Sequence, residues 1–317
     1  MAPHDVTVLD YTDPKATDLN ISVVPDWSEL NGKDQLIYTL TYLAPVQPPK
    51  ATMTVLHGYG EHIDRYGELM RHFAQAGVNV LGFDQRGFGR TGRRKGPLGH
   101  TGGWKVLEMD IYRANERIRE PGVPHFMFGQ SMGGANVLTF ATRDDREKDN
   151  LAGIIVSAPA LIHDPKIRPN PAVVWAGSQL ARVFPTLPMS ANVPTEALSK
   201  DAEEVQLYKE SYYNFDEATI RSFADLLRHG KELIGSERPA RLRIPLLLVH
   251  GEDDHVASIE GSRRFEKYAV NCPDLTFKSL PGEFHEPHKD SKREELFATY
   301  TSWILEHIGE GTTDTSK

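Results

Sequence analysis

The stretch Gly129-Gln130-Ser131-Met132-Gly133-Gly134 decides the fold that this sequence predicts. An apolar, strand-like run over 125–128 precedes it, and helix-like sequence begins at Met132. A serine in a tight strand-to-helix turn projects its hydroxyl from the edge of the sheet, and glycines two residues away on either side make that turn possible. The helix N-terminus adds positive potential where an oxyanion would form. We therefore predict a nucleophilic serine at 131; the alternative is a glycine-rich turn with an incidental serine.

Working outward, strand-like and helix-like segments alternate along the chain. We predict strands over 36–43, 53–57, 78–83, 125–128, 151–157, 244–250 and 275–280. We predict helices over 64–76 and 104–118, from 132 onward, and around 296–304. The runs 151–157 and 244–250 are almost continuously apolar, which is typical of strands buried on both faces of a parallel sheet. This alternation predicts an α/β fold with a mostly parallel central sheet flanked by helices.

Residues 158–243 interrupt this alternation, because they contain no strand-like run of the same kind. A structureless loop of that length would be unusual, so we expect a helical cap inserted into an α/β body formed by 1–157 and 244–317. We expect a packed helix over 170–184, with Val174 and Trp175 lying off its main apolar stripe. That stripe consists of Val173, Gly177, Leu180, Ala181 and Phe184. The second apolar face suggests that the cap walls an acyl tunnel and touches a membrane or lipid droplet.

Composition excludes several classes of protein. The 317 residues include 36 Lys and Arg against 44 Asp and Glu, a net charge of −8, which argues against a nucleic-acid partner. The single cysteine, Cys272, has no partner for an internal disulfide and is expected to be structural or incidental. No apolar run reaches the ~18 residues of a membrane span, and residues 1–5 are acidic and polar rather than signal-like. We expect an intracellular, cytoplasmic protein; no feature predicts its oligomeric state.

A serine nucleophile needs a base, and the base needs an orienting acid, in the chain order serine, acid, histidine for this kind of turn. Asp254 follows the apolar run 244–250, at the carboxyl end of a late strand, and is the expected acid. Asp253 is its rival, and Asp164, after the preceding strand, is a weaker alternative. Each of these acids could instead serve only in a turn or a helix cap.

Chain order also selects the base among 13 histidines. His285 comes first after the last predicted strand and is preferred over His288. His255 is adjacent to Asp254 and poorly placed to receive its carboxylate, and His307 lies in the closing helix.

The segment His57-Gly58-Tyr59-Gly60-Glu61-His62 follows another strand and predicts an oxyanion hole. Its glycines allow the backbone to approach a reacting oxygen, and we expect the N–H groups of Tyr59 and Met132 to donate to it. The competing interpretation is a glycine turn with two surface histidines.

Three motif matches are set aside. Residues 87–92 fit G-x-G-x-x-G, but three residues separate them from the strand and no helix is expected to follow, so we predict no dinucleotide site. Neither 57–62 nor 285–288 has the spacing of a zinc-binding H-E-x-x-H helix, so we expect no metal and no organic cofactor.

A basic cluster is expected to form a solvated loop face or to contact anionic lipid. It comprises Arg86, Arg90, Arg93, Arg94 and Lys95.

Taken in order, five motifs carry a family resemblance: 57–62, 84–89, 129–134, 251–254 and 282–285. Over about residues 30 to 308 the chain resembles the monoacylglycerol lipases of the serine-hydrolase α/β-hydrolase superfamily, in their fungal form. Gln130 departs from the pattern, since many members carry His there; we expect it to point away from the nucleophile, with little effect on the chemistry.

The resemblance implies a nucleophile at Ser131, an acid at Asp254, a base at His285 and oxyanion donors at Tyr59 and Met132. It also implies a polar pocket for the glycerol head. The residues implied for that pocket are Glu61, Arg65 and His288. For Glu61 and Arg65 the alternative is a local i,i+4 ion pair.

The implied reaction is hydrolysis of a monoacylglycerol, or a similar lipid ester, to glycerol and a fatty acid through an acyl-enzyme. A lysophospholipase and a general carboxylesterase or thioesterase are the rival enzymes. A non-catalytic binding protein on the same fold is the rival from another class, and it would predict a broken triad.

Overall fold

The computed structural model describes residues 5–30, 35–144, 151–168 and 170–308. The strands are β1 (Ser22–Ser28), β2 (Ile37–Leu43), β3 (Ala51–Leu56), β4 (Val78–Phe83), β5 (His125–Gln130), β6 (Leu151–Ser157), β7 (Pro188–Ser190), β8 (Glu217–Thr219), β9 (Leu246–Gly251) and β10 (Leu275–Leu280). The helices are α1 (Pro14–Asp18), α2 (Gly67–Gln75), α3 (Gly89–Arg94), α4 (Trp104–Ile118), α5 (Met132–Ala141), α6 (Pro171–Val183), α7 (Ala202–Glu210), α8 (Ile220–Leu233), α9 (Ile259–Tyr268) and α10 (Arg293–His307).

Eight strands form one sheet in the order β1-β2-β4-β3-β5-β6-β9-β10. The pairs β1–β2 and β2–β4 are antiparallel, and every later pair is parallel. Strands β3, β4, β5 and β9 are buried at every residue, as their apolar sequences predict. The carboxyl ends of the parallel strands therefore meet at one edge, where loops can bring distant residues together.

Each face of the sheet has its own hydrophobic core, because alternate strand residues point to opposite sides. Helices α2 and α10 pack on one face against residues such as Val55 and Phe128. Helices α4, α5 and α9 pack on the other face, against residues such as Leu56 and Met127. The predicted α/β fold with a mostly parallel sheet between helical layers is confirmed.

Between β6 and β9 the described residues contain α6, α7, α8 and two three-residue strands, β7 and β8. These two strands pair only with each other, so this segment adds nothing to the central sheet. We call residues 158–243 the cap segment.

Helix α6 differs from its prediction. We expect a packed helix, but Ala181 is its only buried residue, and its main packing partner is α8. Gly177 faces Ile220 of α8, so the predicted apolar stripe is only partly the packing face. Large apolar side chains are exposed instead: Val173 (64%), Trp175 (68%), Val183 (68%) and Phe184 (58%). None of the helices in the described ranges combines the length and apolar character of a membrane-spanning segment.

Several further elements were not predicted, among them β1 and α3. Strand β1 contains Pro25 and Asp26 and lacks a clear apolar alternation; proline is tolerated there because β1 is an edge strand. Helix α3 begins at Gly89, inside the G-x-G-x-x-G match, so the expectation that no helix follows was wrong. The Asp84 carboxylate accepts from Arg90 N at 2.6 Å and occupies the helix N-terminus, where a phosphate would bind.

Candidate active site

The turn between β5 and α5 places Ser131 at the carboxyl edge of the sheet. Its backbone has φ 54° and ψ −115°, a strained conformation for a residue other than glycine and one that is often found at functional sites. Three backbone hydrogen bonds hold this conformation: Ser131 N donates to Ser157 O at 3.0 Å, and Ser131 O accepts from Ala135 N at 2.9 Å and from Ala160 N at 3.0 Å.

The glycines on either side of Ser131 are required by close backbone contacts. A Cβ atom at Gly129 would lie 2.5 Å from Gly133 O, and one at Gly133 would lie 2.5 Å from His57 O. Both contacts are with backbone atoms, which can move little to make room for a side chain. The turn therefore has the strand–turn–helix geometry that the sequence predicted.

His285 lies between Ser131 and Asp254 and is hydrogen-bonded to both. Its Nε2 is 2.8 Å from Ser131 Oγ, and its Nδ1 is 2.7 Å from Asp254 Oδ2. All three residues are buried. Asp254 follows β9 and His285 follows β10, so neighbouring parallel strands deliver them to the edge where β5 delivers the serine.

Electrostatics suit this arrangement to proton transfer. Burial raises the pKa of Asp254. The charge of His285 and the polar contacts with His250 and His285 outweigh that effect and hold the pKa of Asp254 well below its usual range. Burial lowers the pKa of His285, but the Asp254 carboxylate outweighs it and the pKa is raised. We assign the Nδ1 proton to the bond with Asp254, which leaves Nε2 to accept from the Ser131 hydroxyl.

The rival acids and histidines lie elsewhere. Asp253 and His255 are exposed, and Asp164 accepts from Lys166 N within its own turn. His307 contacts Asp274 at 3.0 Å near the end of α10. Burial thus separates Asp254 from its sequence neighbours, a distinction that spacing alone left open.

The loop after β3 lies beside the serine, as predicted for the oxyanion hole. Tyr59 N–H donates to no acceptor among the described residues, and Met132, the first residue of α5, has no helical carbonyl four residues before it. Both amides are therefore available to a ligand near Ser131.

His57 anchors this loop, a role that the sequence analysis missed. Its ring is buried, with Nε2 accepting from Gln85 N at 2.9 Å and Nδ1 2.7 Å from Gly58 O. Gln85 Nε2 also donates to His57 O at 2.6 Å. Burial lowers the pKa of His57 to about 3. The surface-histidine alternative is therefore wrong for this residue.

Arg65 is partly buried and lies between two carboxylates. It is hydrogen-bonded to Glu61 and makes a bidentate pair with Glu286, at 2.9 and 2.6 Å. Burial raises the pKa of Glu61, whereas Arg65 lowers the pKa of Glu286 despite burial. The i,i+4 pair of the sequence analysis exists, but Glu286, which it did not include, is the second partner of Arg65.

Two other predicted residues occupy unexpected settings. His288 is buried and stacks on Tyr66 at 5.0 Å between ring centroids, behind the wall of the pocket rather than on it. Gln130 is also buried, and its Nε2 donates to His285 O at 2.7 Å. Gln130 therefore supports the loop that carries the histidine.

A pocket opens beside Ser131 and His285, with about 620 Å³ of empty space when the open solvent at its mouth is counted. Glu61 and Glu286 supply charged groups on its wall. Apolar side chains line much of the rest: Ile162, Ile167, Val193, Leu198, Phe223, Leu226 and Val256. Among the described residues, no cluster of three or more His, Cys, Asp or Glu side chains could hold a metal ion.

The basic cluster is mostly engaged within the protein, so the expectation of a solvated face was wrong for its inner members. Arg86 makes a bidentate pair with Asp110, with both N–O distances 2.9 Å. Arg90 is buried and pairs with Asp64 and with Asp10. Their charges are neutralised by these carboxylates, which removes most of the reason to expect a lipid contact here.

A doubly covered α/β sheet, a strained serine on a strand-to-helix turn and a buried histidine–aspartate pair define a serine hydrolase of the α/β-hydrolase fold. The chain belongs to the family described as Serine aminopeptidase, S33 (Hydrolase_4), whose model matches residues 47–292.

Relatives and solved structures agree with this assignment. The chain is 30% identical over 287 residues to a monoacylglycerol lipase of Mycolicibacterium smegmatis, covering 83% of this chain and 91% of the relative. It is 26% identical to the monoglyceride lipase of Saccharomyces cerevisiae, covering 81% and 85%. The crystal structure of Paleococcus ferrophilus monoacylglycerol lipase superposes with a TM-score of 0.76 at 27% identity, covering 86% of this chain and 99% of that one. The predicted resemblance is confirmed.

Proposed function

We propose that this protein hydrolyses monoacylglycerols to glycerol and free fatty acid through an acyl-enzyme formed on Ser131. The observation that carries the proposal is the continuous hydrogen-bond chain Ser131–His285–Asp254 at the wall of a largely apolar pocket. Relatives named as monoacylglycerol lipases support the choice of substrate.

In this mechanism His285 takes the Ser131 proton as Oγ attacks the ester carbonyl. The Tyr59 and Met132 N–H groups stabilise the oxyanion, and one such donor is worth about 3 kcal/mol. His285 then protonates the departing glycerol oxygen and later activates the water that releases the fatty acid. Asp254 holds the imidazole in one tautomer and stabilises the imidazolium.

A substrate panel tests the proposal. We expect turnover of a monoacylglycerol to exceed that of the corresponding diacylglycerol, lysophospholipid and acyl thioester, with the Ser131→Ala variant as the blank. The family description names an aminopeptidase, so an aminoacyl anilide belongs in the panel. Preference for the lysophospholipid or the anilide would overturn the proposed substrate and leave the serine mechanism in place.

We further propose that the residues around Glu61 bind the glycerol head. Glu61 lines the pocket, and its Oε1 accepts from Gly58 N at 2.6 Å and from Tyr66 Oη at 2.7 Å. Arg65 pairs with this carboxylate, and His288 stacks against Tyr66, so both act here by fixing Glu61 and its surroundings. Two free hydroxyls need such acceptors near the scissile bond.

Replacing Glu61 with Gln is expected to raise KM for a monoacylglycerol about tenfold, because a hydrogen bond to a charged acceptor is lost. KM for the p-nitrophenyl ester of the same acid should stay within about twofold, since that ester has no glycerol. Glu203→Gln is the matched control, because it removes the charge of an exposed glutamate in α7. Equal effects on both esters would instead favour a purely structural ion pair.

The dependence of kcat/KM on pH should report His285. The base must be neutral, and its pKa is raised above the ordinary 6.5, so activity should fall as pH drops through a midpoint above 6.5. Asp254 stays ionised across this range because its pKa is lowered. A profile on a soluble short-chain ester measures this limb, and a midpoint below 6.5 would contradict the assignment.

We propose that 158–243 functions as the cap over the α/β body and that α6 touches lipid surfaces. The exposed Val173, Trp175, Val183 and Phe184 support this, since several large apolar side chains exposed on one helix and its C-cap are costly in water. With its single cysteine, unpaired in the structure, the protein fits a reducing, intracellular location, with peripheral rather than spanning contact.

The combined variant Trp175→Ser, Val183→Ser and Phe184→Ser is expected to bind phosphatidylcholine vesicles at least about tenfold more weakly than wild type, because each side chain loses apolar burial. Vesicle co-sedimentation measures the contact, and a tryptophan emission shift that is present in wild type and absent from the triple variant assigns it to Trp175. Val270→Ser is the control, an equally exposed valine on the body. Unchanged co-sedimentation of the triple variant would show that α6 is not the contact.

A further inference from the structure

His250 is a buried histidine that the mechanism above does not use. It lies in β9, four residues before Asp254, with no exposed surface. Its Nε2 is 3.1 Å from Asp254 Oδ2 and 2.9 Å from Ala257 O, and its Nδ1 is 2.7 Å from Ser262 Oγ. The ring therefore bridges the acid of the triad and helix α9.

These partners fix where the proton of a neutral His250 resides. Nε2 faces two acceptors, the carboxylate and a backbone carbonyl, so it carries the hydrogen. Nδ1 then accepts from the Ser262 hydroxyl, which can donate. The Nε2–H of His250 thus donates to Ala257 O and also lies 3.1 Å from Asp254 Oδ2, the same oxygen that accepts from His285 Nδ1 at 2.7 Å.

The surroundings of Asp254 show what this contact adds. Oδ1 accepts from Val256 N at 2.8 Å and Ala257 N at 2.9 Å, which anchors one oxygen of the carboxylate. Those two amides make no hydrogen bond to Oδ2. The imidazole of His250 fixes the second oxygen, and with it the direction in which that oxygen faces His285.

We propose that His250 is a positioning residue, holding Asp254 Oδ2 in line with His285 Nδ1 so that the base keeps its productive tautomer. The inference rests on the triad of the proposed function, although not on its substrate. Ser262, the partner of His250 Nδ1, lies in α9. The packing of α9 on β9 therefore also helps to set the catalytic geometry.

The test compares His250→Leu, which has no donor, with His250→Gln, whose amide can donate to the same oxygen. On p-nitrophenyl acetate we expect the Leu variant to lose on the order of 10- to 100-fold in kcat, with KM within about twofold, since a hydrogen bond to a charged group is worth that factor. The Gln variant should stay within about fivefold of wild type. Asp253→Asn, an exposed change in the same loop, is the control.

Two readouts separate positioning from simple packing. In His250→Leu the midpoint of the acid limb of kcat/KM should move to lower pH, towards the ordinary histidine pKa. The reason is that Asp254 Oδ2 is no longer held in line with His285 Nδ1. The downfield NMR resonance of His285 Nδ1–H should weaken in the same variant and recover in the Gln variant. Equal losses in both variants with an unmoved limb, or a loss below about threefold in the Leu variant, would overturn the proposal.

A fluorophosphonate labelling rate, which needs the triad but no glycerol, keeps this outcome distinct from failure of the substrate assignment.

If His250→Leu does not fold, Ser262→Ala removes the Nδ1 partner and leaves the ring in place. Ser262→Ala should shift the midpoint of the acid limb in the same direction and lower kcat about threefold. An unmoved limb in that variant counts against the inference.

Discussion

Replacing Ser131 with Ala is expected to lower kcat for ester hydrolysis by about 10⁴- to 10⁶-fold while the protein stays folded. Ser131 Oγ is the atom that His285 Nε2 contacts at 2.8 Å, and nothing else in that turn can form the acyl-enzyme. The methyl group of alanine fits where Cβ of serine already lies, so the turn at φ 54° is retained. Steady-state turnover and thermal unfolding, measured side by side, check both halves of this expectation.

Covalent labelling is the sharper readout for the same substitution. Wild type should react stoichiometrically with a fluorophosphonate, and the Ala variant should not react. Ser178→Ala, in the cap helix, is the control, because it removes another serine hydroxyl without touching the turn. Labelling of Ser131→Ala at the wild-type rate would assign the nucleophile to another residue.

How far the sequence predicts this fold depends on which interactions define each element. Helix α4 has the predicted bounds, Trp104–Ile118, because its apolar period is local and its buried face follows that period. Strand β6 also matches, since burial on both faces demands an apolar run. Helix α6 was misread because periodicity shows which residues share a face, but not whether anything in the fold covers that face.

The candidate site shows the same division. Chain order and motif spacing suffice to propose Ser131, Asp254 and His285, because a strand-to-helix turn and two strand ends are local features. The choice of Asp254 over Asp253 needs burial, which is a property of the folded chain. The Arg65–Glu286 pair joins residues far apart in sequence, so no local pattern indicates it.

The contact between His250 and Asp254 marks the boundary between these cases. The two residues are only four apart, and His250 ends the apolar run that precedes the acid. Chain order excluded His250 as a base, and no sequence rule gave it another role. The contact depends on the loop after β9, which brings Asp254 back against His250, and no local sequence pattern indicates it.

Replacing Asp254 with Asn is expected to lower kcat by about 10⁴-fold at neutral pH, the second largest effect we foresee. Oδ1 accepts from two backbone amides, so the amide oxygen of asparagine should stay there and its NH₂ should take the place of Oδ2. That NH₂ would face the donating nitrogens of His285 and His250. His285 should therefore adopt the tautomer that presents Nε2–H to Ser131, and a nitrogen that already bears hydrogen accepts no proton from the serine.

The two acids left open by spacing supply the controls for this substitution. Asp253→Asn and Asp164→Asn should each retain kcat within about twofold, because neither carboxylate contacts His285. Turnover of a soluble ester and the NMR resonances of His285 report rate and tautomer in the same three variants. If Asp254→Asn kept more than about a tenth of wild-type kcat, the carboxylate would have no role in setting the tautomer. The 2.7 Å contact with His285 would then be structural, and the inferred role of His250 would fall with it.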